Sequence, residues 1–346
     1  MVPTGPASKR GLPFSDPRPS DHPFWAETPD LAADLERVRD AVVEEAGSAG
    51  GAIGDALARY VARPGKMLRP GFVVIGSWAG RKADASSPAP ARIIRIAAAI
   101  ETLHIASLIH DDVIDDADRR RGEPSLHALH GRKHAVLMGD YLLSRCFAMI
   151  AEGTERENAL RLAAATGHLV RGEINQNFKS KDEALSRRAY LRRIAGKTSM
   201  LFTLSLVTGA SEADARRREI ALLARVGYSV GMAFQVIDDI LDMTAHSDAL
   251  GKPVASDLRS GVFTLPVIEA VARRPEIRET VLAAPSDRSA LDRAVEAIRS
   301  AGGVDAARRT AAAYTARARR AIGELASPRQ REVLGIVAEK LLGRTY

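Results

Sequence analysis

From Pro29 onward, apolar residues return at the i, i+3, i+4, i+7 spacing that gathers them on one face of an α-helix: Leu31, Leu35 and Val38, then Ala41 and Val42. The same period runs to the C-terminus and predicts helices over 30–46, 51–62, 68–80, 88–116, 124–127 with 133–152, 155–178, 187–209, 212–243, 261–274, 287–301, 303–325 and 328–341. Gly, Pro and Ser collect at 81–90, 117–124, 179–186 and 245–260, where breaks are expected. No alternation of period two persists, so no sheet is expected, and no fixed-period repeat of the solenoid kind is visible. Seven of the 17 prolines lie in the first thirty residues among Ser, Gly and mixed charge. Residues 1–27 therefore read as a flexible arm, and 28–346 as the folded part.

Composition narrows the classes. At 346 residues and 46% hydrophobic content the chain can bury a large core, and length alone would allow two domains. Aromatics are only 5%, while Ala, Leu and Arg abound, a balance that favours helices. A lone cysteine, Cys146, excludes an internal disulfide and any cysteine-based zinc site, and reads as a small buried hydrophobe. The first residues, MVPTGPASKRGLPF, lack the apolar run of a signal peptide, so a cytoplasmic location is expected. Apolar stretches such as 226–237 are too short and interrupted to span a bilayer, so no stable membrane insertion is expected. The net charge of +7 admits nucleic acid, an anionic membrane surface or an anionic small substrate. Since no aromatic-and-basic recognition motif accompanies the arginines, nucleic acid is not expected.

Two acidic triplets carry the chemistry. DDVID supplies Asp111, Asp112 and Asp115; DDILD supplies Asp238, Asp239 and Asp242. In each, the first and third carboxylates are four residues apart and stack on one helix face. Like charges at that spacing repel, and both triplets end long apolar helices, where the helix dipole also opposes anions. Such clustering is hard to justify as solvated surface and suits hard divalent cations, Mg²⁺ above all.

An anionic substrate needs cations, and short basic motifs provide them. GKMLRP places Lys66 and Arg69 three residues apart at a helix start, where backbone N–H groups also favour phosphate. ADRRRGEPS places Arg120 and Arg121 in a loop just past the first triplet; Lys197 with Thr198, and Gly251 with Lys252, follow. His104 lies two turns before Asp111 on the same face.

The order GKxxRP, HDDxxDD with RRGxP, GExxQ, KT, QxxDDxLD and GKPxxxDL, over about 60–270, resembles the trans-isoprenyl diphosphate synthases. The resemblance implies an all-α, single-domain fold with helices around a deep central cavity, a homodimer, and about three Mg²⁺ between the acidic helices. By position, Asp111, Asp112, Asp115 and Asp238, with Asp239 and Asp242 in support, would hold the metals on an allylic diphosphate, gripped also by Arg120, Lys197 and Lys252. Isopentenyl diphosphate would sit on Lys66, Arg69, His104 and Arg121. Thr198 and Gln235 would offer oxygens to an allylic cation, and Gln176 of the GExxQ run would line the cavity.

In this family the residues four and five before the first aspartate help set product length. Here they are Ser107 and Ala106, small enough to admit a long tail, so a C30–C50 product for quinone side chains is expected, with C20 as the alternative. Leu103, Ile100 or a facing helix bearing Met138 and Leu142 would otherwise form the floor. Gly227 and Gly231, one turn apart, read as a site of close helix approach. A class I terpene cyclase is disfavoured by the second DDILD and by GKMLRP. A silent subunit is disfavoured by two intact triplets, although a small partner chain and peripheral membrane contact for product release remain compatible.

Overall fold

The computed structural model describes residues 22–63, 65–80, 87–120, 123–177, 184–244 and 255–343. Arg121, Gly251 and Lys252 lie outside them, as do the side chains of residues 172–177, Gln176 among them. The elements are α1 (Pro29–Gly47), α2 (Gly51–Val61), α3 (Leu68–Ser77), α4 (Ala91–Ile114), a two-residue hairpin of β1 (Arg119–Arg120) and β2 (Glu123–Pro124), α5 (Leu126–His130), α6 (Arg132–Gly153), α7 (Arg156–Asn177), α8 (Arg187–Ile194), a π-helical turn (Ala195–Ser199), α9 (Met200–Glu212), α10 (Arg217–Thr244), α11 (Ser256–Arg259), α12 (Leu265–Arg273), α13 (Arg278–Ala283), α14 (Arg288–Ser300), α15 (Gly303–Gly323) and α16 (Pro328–Leu342). The fold is all-α, as the apolar period requires.

α4 and α10 organise everything else. α4 packs on α6, α3 and α1; α10 packs on α15 and α9. One apolar core joins α1–α6, α9, α16 and residues such as Val226 and Val230 of α10. A second joins Met232, Val236 and Ile240 of α10 to α8 and α12–α15. A helix that serves both cores must be apolar over most of its length. By length and composition both α4 and α10 are indeed long and apolar enough to cross a membrane, which corrects the expectation that no such stretch exists. In each, however, most of the apolar window is buried inside the fold (67% and 61%), so they act as core helices.

The register of α4 on α6 is antiparallel. A Cβ at Gly139 would lie 2.3 Å from His110 Nε2, and one at Gly153 would lie 3.3 Å from Arg95 Cδ. Between these points the Cys146 thiol lies in hydrogen-bond range of the Leu103 backbone, and burial pushes it up to about 12. Cys146 is thus the inert core residue expected.

Residues 22–27, assigned from sequence to the arm, belong to the folded part. Trp25 is 1% exposed, its indole Nε1 donates to the Lys66 carbonyl at 2.7 Å, and its ring leaves no room for a Cβ at Gly71. Phe24 stacks edge-on against it at 4.7 Å, and Lys340 donates to the Phe24 carbonyl at 2.9 Å. An aromatic pair of this size outweighs the proline-rich surroundings, because its burial contributes several kcal/mol, about 2 per large side chain.

Candidate active site

The first triplet sits at the C-terminal end of α4. Asp112 is buried, and its Oδ1 accepts a forked pair of hydrogen bonds from Arg120, with Nε at 2.8 Å. The β1–β2 hairpin aims that guanidinium. Ser125 N–H donates to the Asp118 carbonyl at 2.9 Å, and buried His127 pairs its Nε2 with the Ala117 carbonyl at 2.9 Å. His127 was not among the residues singled out from sequence; only its place one residue beyond the RRGEPSL loop hints at a structural part.

Asp111 is half-buried. Burial raises its carboxyl above the ordinary value, and Lys197, whose Nζ lies 3.3 Å from Oδ2, pulls it back down. Asp115 ends α4 and is exposed. The carboxylates thus climb from a buried to an open position along the helix end.

The second triplet divides its labour differently. Asp239 is buried, with Oδ2 accepting from the Tyr190 hydroxyl at 2.6 Å and Oδ1 from Gln235 Nε2 at 2.9 Å. Burial lifts its carboxyl to about 7 in spite of those two donors. Both Asp239 oxygens are thus engaged by protein donors. Asp242 accepts from the Ser256 and Asp257 backbone N–H groups at 3.1 and 3.2 Å, so it caps α11 and fixes the chain returning from residues 245–254. Asp238, half-buried, lies one turn before Asp242 on the same face.

A single five-residue turn connects these two helices. Within Ala195–Ser199, Lys197 reaches Asp111 on α4, while Thr198 donates to Gln235 Oε1 on α10 at 2.7 Å. The chain Thr198, Gln235, Asp239, Tyr190 then locks α8 to α10. Because Thr198 donates its proton, its oxygen lone pairs stay available to a cation.

On the basic side, Met67 adopts a left-handed φ of 44° at the start of α3, between Lys66 and Arg69. Arg69 lies 5.2 Å over the Phe202 ring, which meets Phe72 at 5.3 Å and Phe234 of α10 at 5.6 Å. Lys66 is held by the Trp25 contact to its carbonyl. His104 is half-buried on α4, and its carbonyl accepts the Ser107 hydroxyl at 2.8 Å. Ala106 is buried at 1% exposure.

Does this donor set fit divalent cations? Among the described residues no three acidic, histidine or cysteine side chains form a ready-made nest. Asp112 Oδ2, however, is buried and meets no hydrogen-bond partner, an arrangement that costs roughly 1–3 kcal/mol unless a cation or donor completes it. All the acidic candidates are carboxylate oxygens, the donors Mg²⁺ prefers when diphosphate oxygens and water supply the rest. The residues fit such an ion arriving with an anionic substrate.

Comparison with known proteins bears on the same site. A family model described as Polyprenyl synthetase matches residues 52–301. The heptaprenyl diphosphate synthase component 2 of Geobacillus stearothermophilus is 41% identical over 247 residues, 70% of this chain and 73% of that one. The crystal structure of heptaprenyl diphosphate synthase from Staphylococcus aureus superposes with a TM-score of 0.85 at 27% identity, covering 91% of this chain and 99% of the other. A polyprenyl synthase from Caulobacter crescentus CB15, solved with calcium and isoprenyl diphosphate, gives 0.80 at 31% identity over 92% and 98%. With more than half of its length matched by that model, and acidic and basic walls built as described, this chain belongs to the polyprenyl synthetase family of trans-prenyltransferases.

Proposed function

We propose that the protein condenses isopentenyl diphosphate head to tail with an allylic diphosphate to give an all-trans polyprenyl diphosphate of C30–C50. The observation that supports this reading is the π turn, whose Lys197 lies on Asp111 and whose Thr198 bonds Gln235, so that both acidic helices are tied to one turn. Asp111, Asp112, Asp115 and Asp238, with Asp242 and Asp239 in support, would hold about three Mg²⁺, which when bound supply the charge that lets diphosphate leave.

The chain's own groups do the rest. Lys197 and Arg120 take up negative charge on the departing diphosphate, and Lys66, Arg69, His104 and Arg121 hold isopentenyl diphosphate. The allylic C–O bond breaks, and the double bond of isopentenyl diphosphate forms the new C–C bond to C1. A proton is then lost to the released diphosphate. Thr198 and Gln235 oxygens face the transient cation, and the apolar helix faces exclude water.

Product length follows from α4 and α6. The antiparallel register brings Leu142 to the level of Ala106 and Ser107, and the Ser107 hydroxyl is turned back on its own helix, so α4 offers no bulky side chain at this level. With Mg²⁺, isopentenyl diphosphate and farnesyl or geranylgeranyl diphosphate, chromatography of dephosphorylated, radiolabelled products should show C30–C50 alcohols. Ala106→Phe should shorten them by several isoprene units. A dominant C15 product from the unaltered protein would remove the long-chain reading, and C20 would replace it with the geranylgeranyl alternative.

A second copy of the chain is the expected partner. Val136 and Phe147, three turns apart on one face of α6, are 38% and 43% exposed, and Leu129 on α5 is 52% exposed. Sedimentation velocity should return a dimer, and Phe147→Glu should shift it toward monomer. The Geobacillus relative is named as a component, so a small partner subunit is the competing arrangement. Full turnover by the purified chain alone decides against it.

A further inference from the structure

Away from the acidic helix ends, α8, α12 and α15 line an open cleft of ≈ 490 Å³ whose charge the reaction does not use. Arg187, Arg273, Arg309 and Arg317 line it against a single carboxylate, Glu269, a surplus of three positive charges. Glu269 is already shared. Arg187 Nε donates to it at 2.9 Å, and Arg273 Nη2 stands 4.0 Å from its other oxygen. Arg317 lies 5.1 Å over the Tyr314 ring, and exposed Arg309 has no carboxylate within ion-pair distance among the described residues.

Four guanidiniums around one concavity repel one another, and one carboxylate cannot balance them. The fold keeps them there on three helices, with Tyr314 and Leu191 also lining the cleft. A guanidinium fork matches phosphate oxygens two at a time, and the volume is that of small-molecule sites. We propose that this cleft binds a multiply charged, phosphate-bearing small anion. It is separate from the active cavity: on α8, Tyr190 turns to Asp239, whereas Arg187 turns to Glu269 of α12.

The test uses inorganic diphosphate with the full chain in EDTA and low salt, where the acidic walls lack metal and repel the anion. Isothermal titration should show saturable uptake. In the double variant Arg309→Ser, Arg317→Ser affinity should fall by roughly tenfold or more, as expected for losing two charge-assisted contacts. Mg²⁺-dependent prenyl elongation should be unchanged in that variant, because neither arginine touches the reacting groups. No saturable uptake would overturn the proposal. So would uptake undiminished in the double variant, since the anion would then sit among Lys66, Arg69 and Lys197.

Discussion

Asp111→Ala, and equally Asp238→Ala, is expected to lower kcat by roughly 10³-fold, about 4 kcal/mol of transition-state stabilisation, while leaving the fold intact. Asp111 is half-buried at the C-terminal end of α4, where the helix dipole opposes a carboxylate, and burial already raises its carboxyl. Lys197 at 3.3 Å and, more weakly, the Arg120 guanidinium compensate it in part. Removing the charge therefore relieves the native state, so thermal unfolding should occur at the same temperature or slightly higher. Activity moves the other way. A carboxylate kept at an electrostatically unfavourable place is useful only if something else binds it, and Asp112 Oδ2 beside it is buried with no hydrogen-bond partner. Single-turnover assays with Mg²⁺, isopentenyl diphosphate and farnesyl diphosphate, run next to melting curves, separate the two effects. Turnover within tenfold of the unaltered protein would show that the acidic walls are not where the diphosphate departs.

Asp242→Asn provides the contrast within the second triplet. Its two oxygens accept backbone N–H groups of Ser256 and Asp257, so its loss touches the capping of α11 as well as the site. The two triplets look alike in sequence, and this division could not be read there. What the chain spells out locally is helix position: α1, α2, α7, α14 and α16 begin and end within a residue or two of where apolar period, proline and glycine predict. At 187–209, expected as one continuous helix, the chain is indeed helical throughout, but the local pattern does not announce the π-helical turn within it. There the structure has α8, the π turn and α9.

The reason is tertiary. The turn's shape is set by Gly231 pressing on Ser199 and by the Ser199 hydroxyl donating to the Tyr228 carbonyl at 2.9 Å, contacts that cross some thirty residues of sequence. Tyr190 escaped notice for a similar reason, since its partner Asp239 is 49 residues away and no spacing rule joins them. Trp25 was hidden by its proline-rich neighbours, although an adjacent aromatic pair in an otherwise polar arm was the available signal. The motif cations, by contrast, were legible because phosphate chemistry demands their type. The left-handed backbone of Met67 between two of them was not.

Gly231→Val tests whether that hinge is what couples fold to function. A Cβ at 231 would stand 2.5 Å from the Ser199 Cα, and one at Gly227 would stand 2.6 Å from the Thr203 Cα; both neighbours are backbone and cannot swing aside. The side chain must push α10 off the π turn, a strain of about 3 kcal/mol against a domain's marginal stability. The displacement falls on Thr198 and Lys197, so the 2.7 Å bond to Gln235 and the 3.3 Å approach to Asp111 are both lost. A shift of about 1 Å there should lower kcat by a further factor on the order of 10² even in the folded fraction. Gly335→Ala in α16 is the control, because nothing lies within 4 Å of its Cβ position. It should stabilise by about 0.5–1 kcal/mol and leave kcat unchanged. If Gly231→Val melts like the unaltered protein and turns over normally, the two acidic helices are not held through this turn.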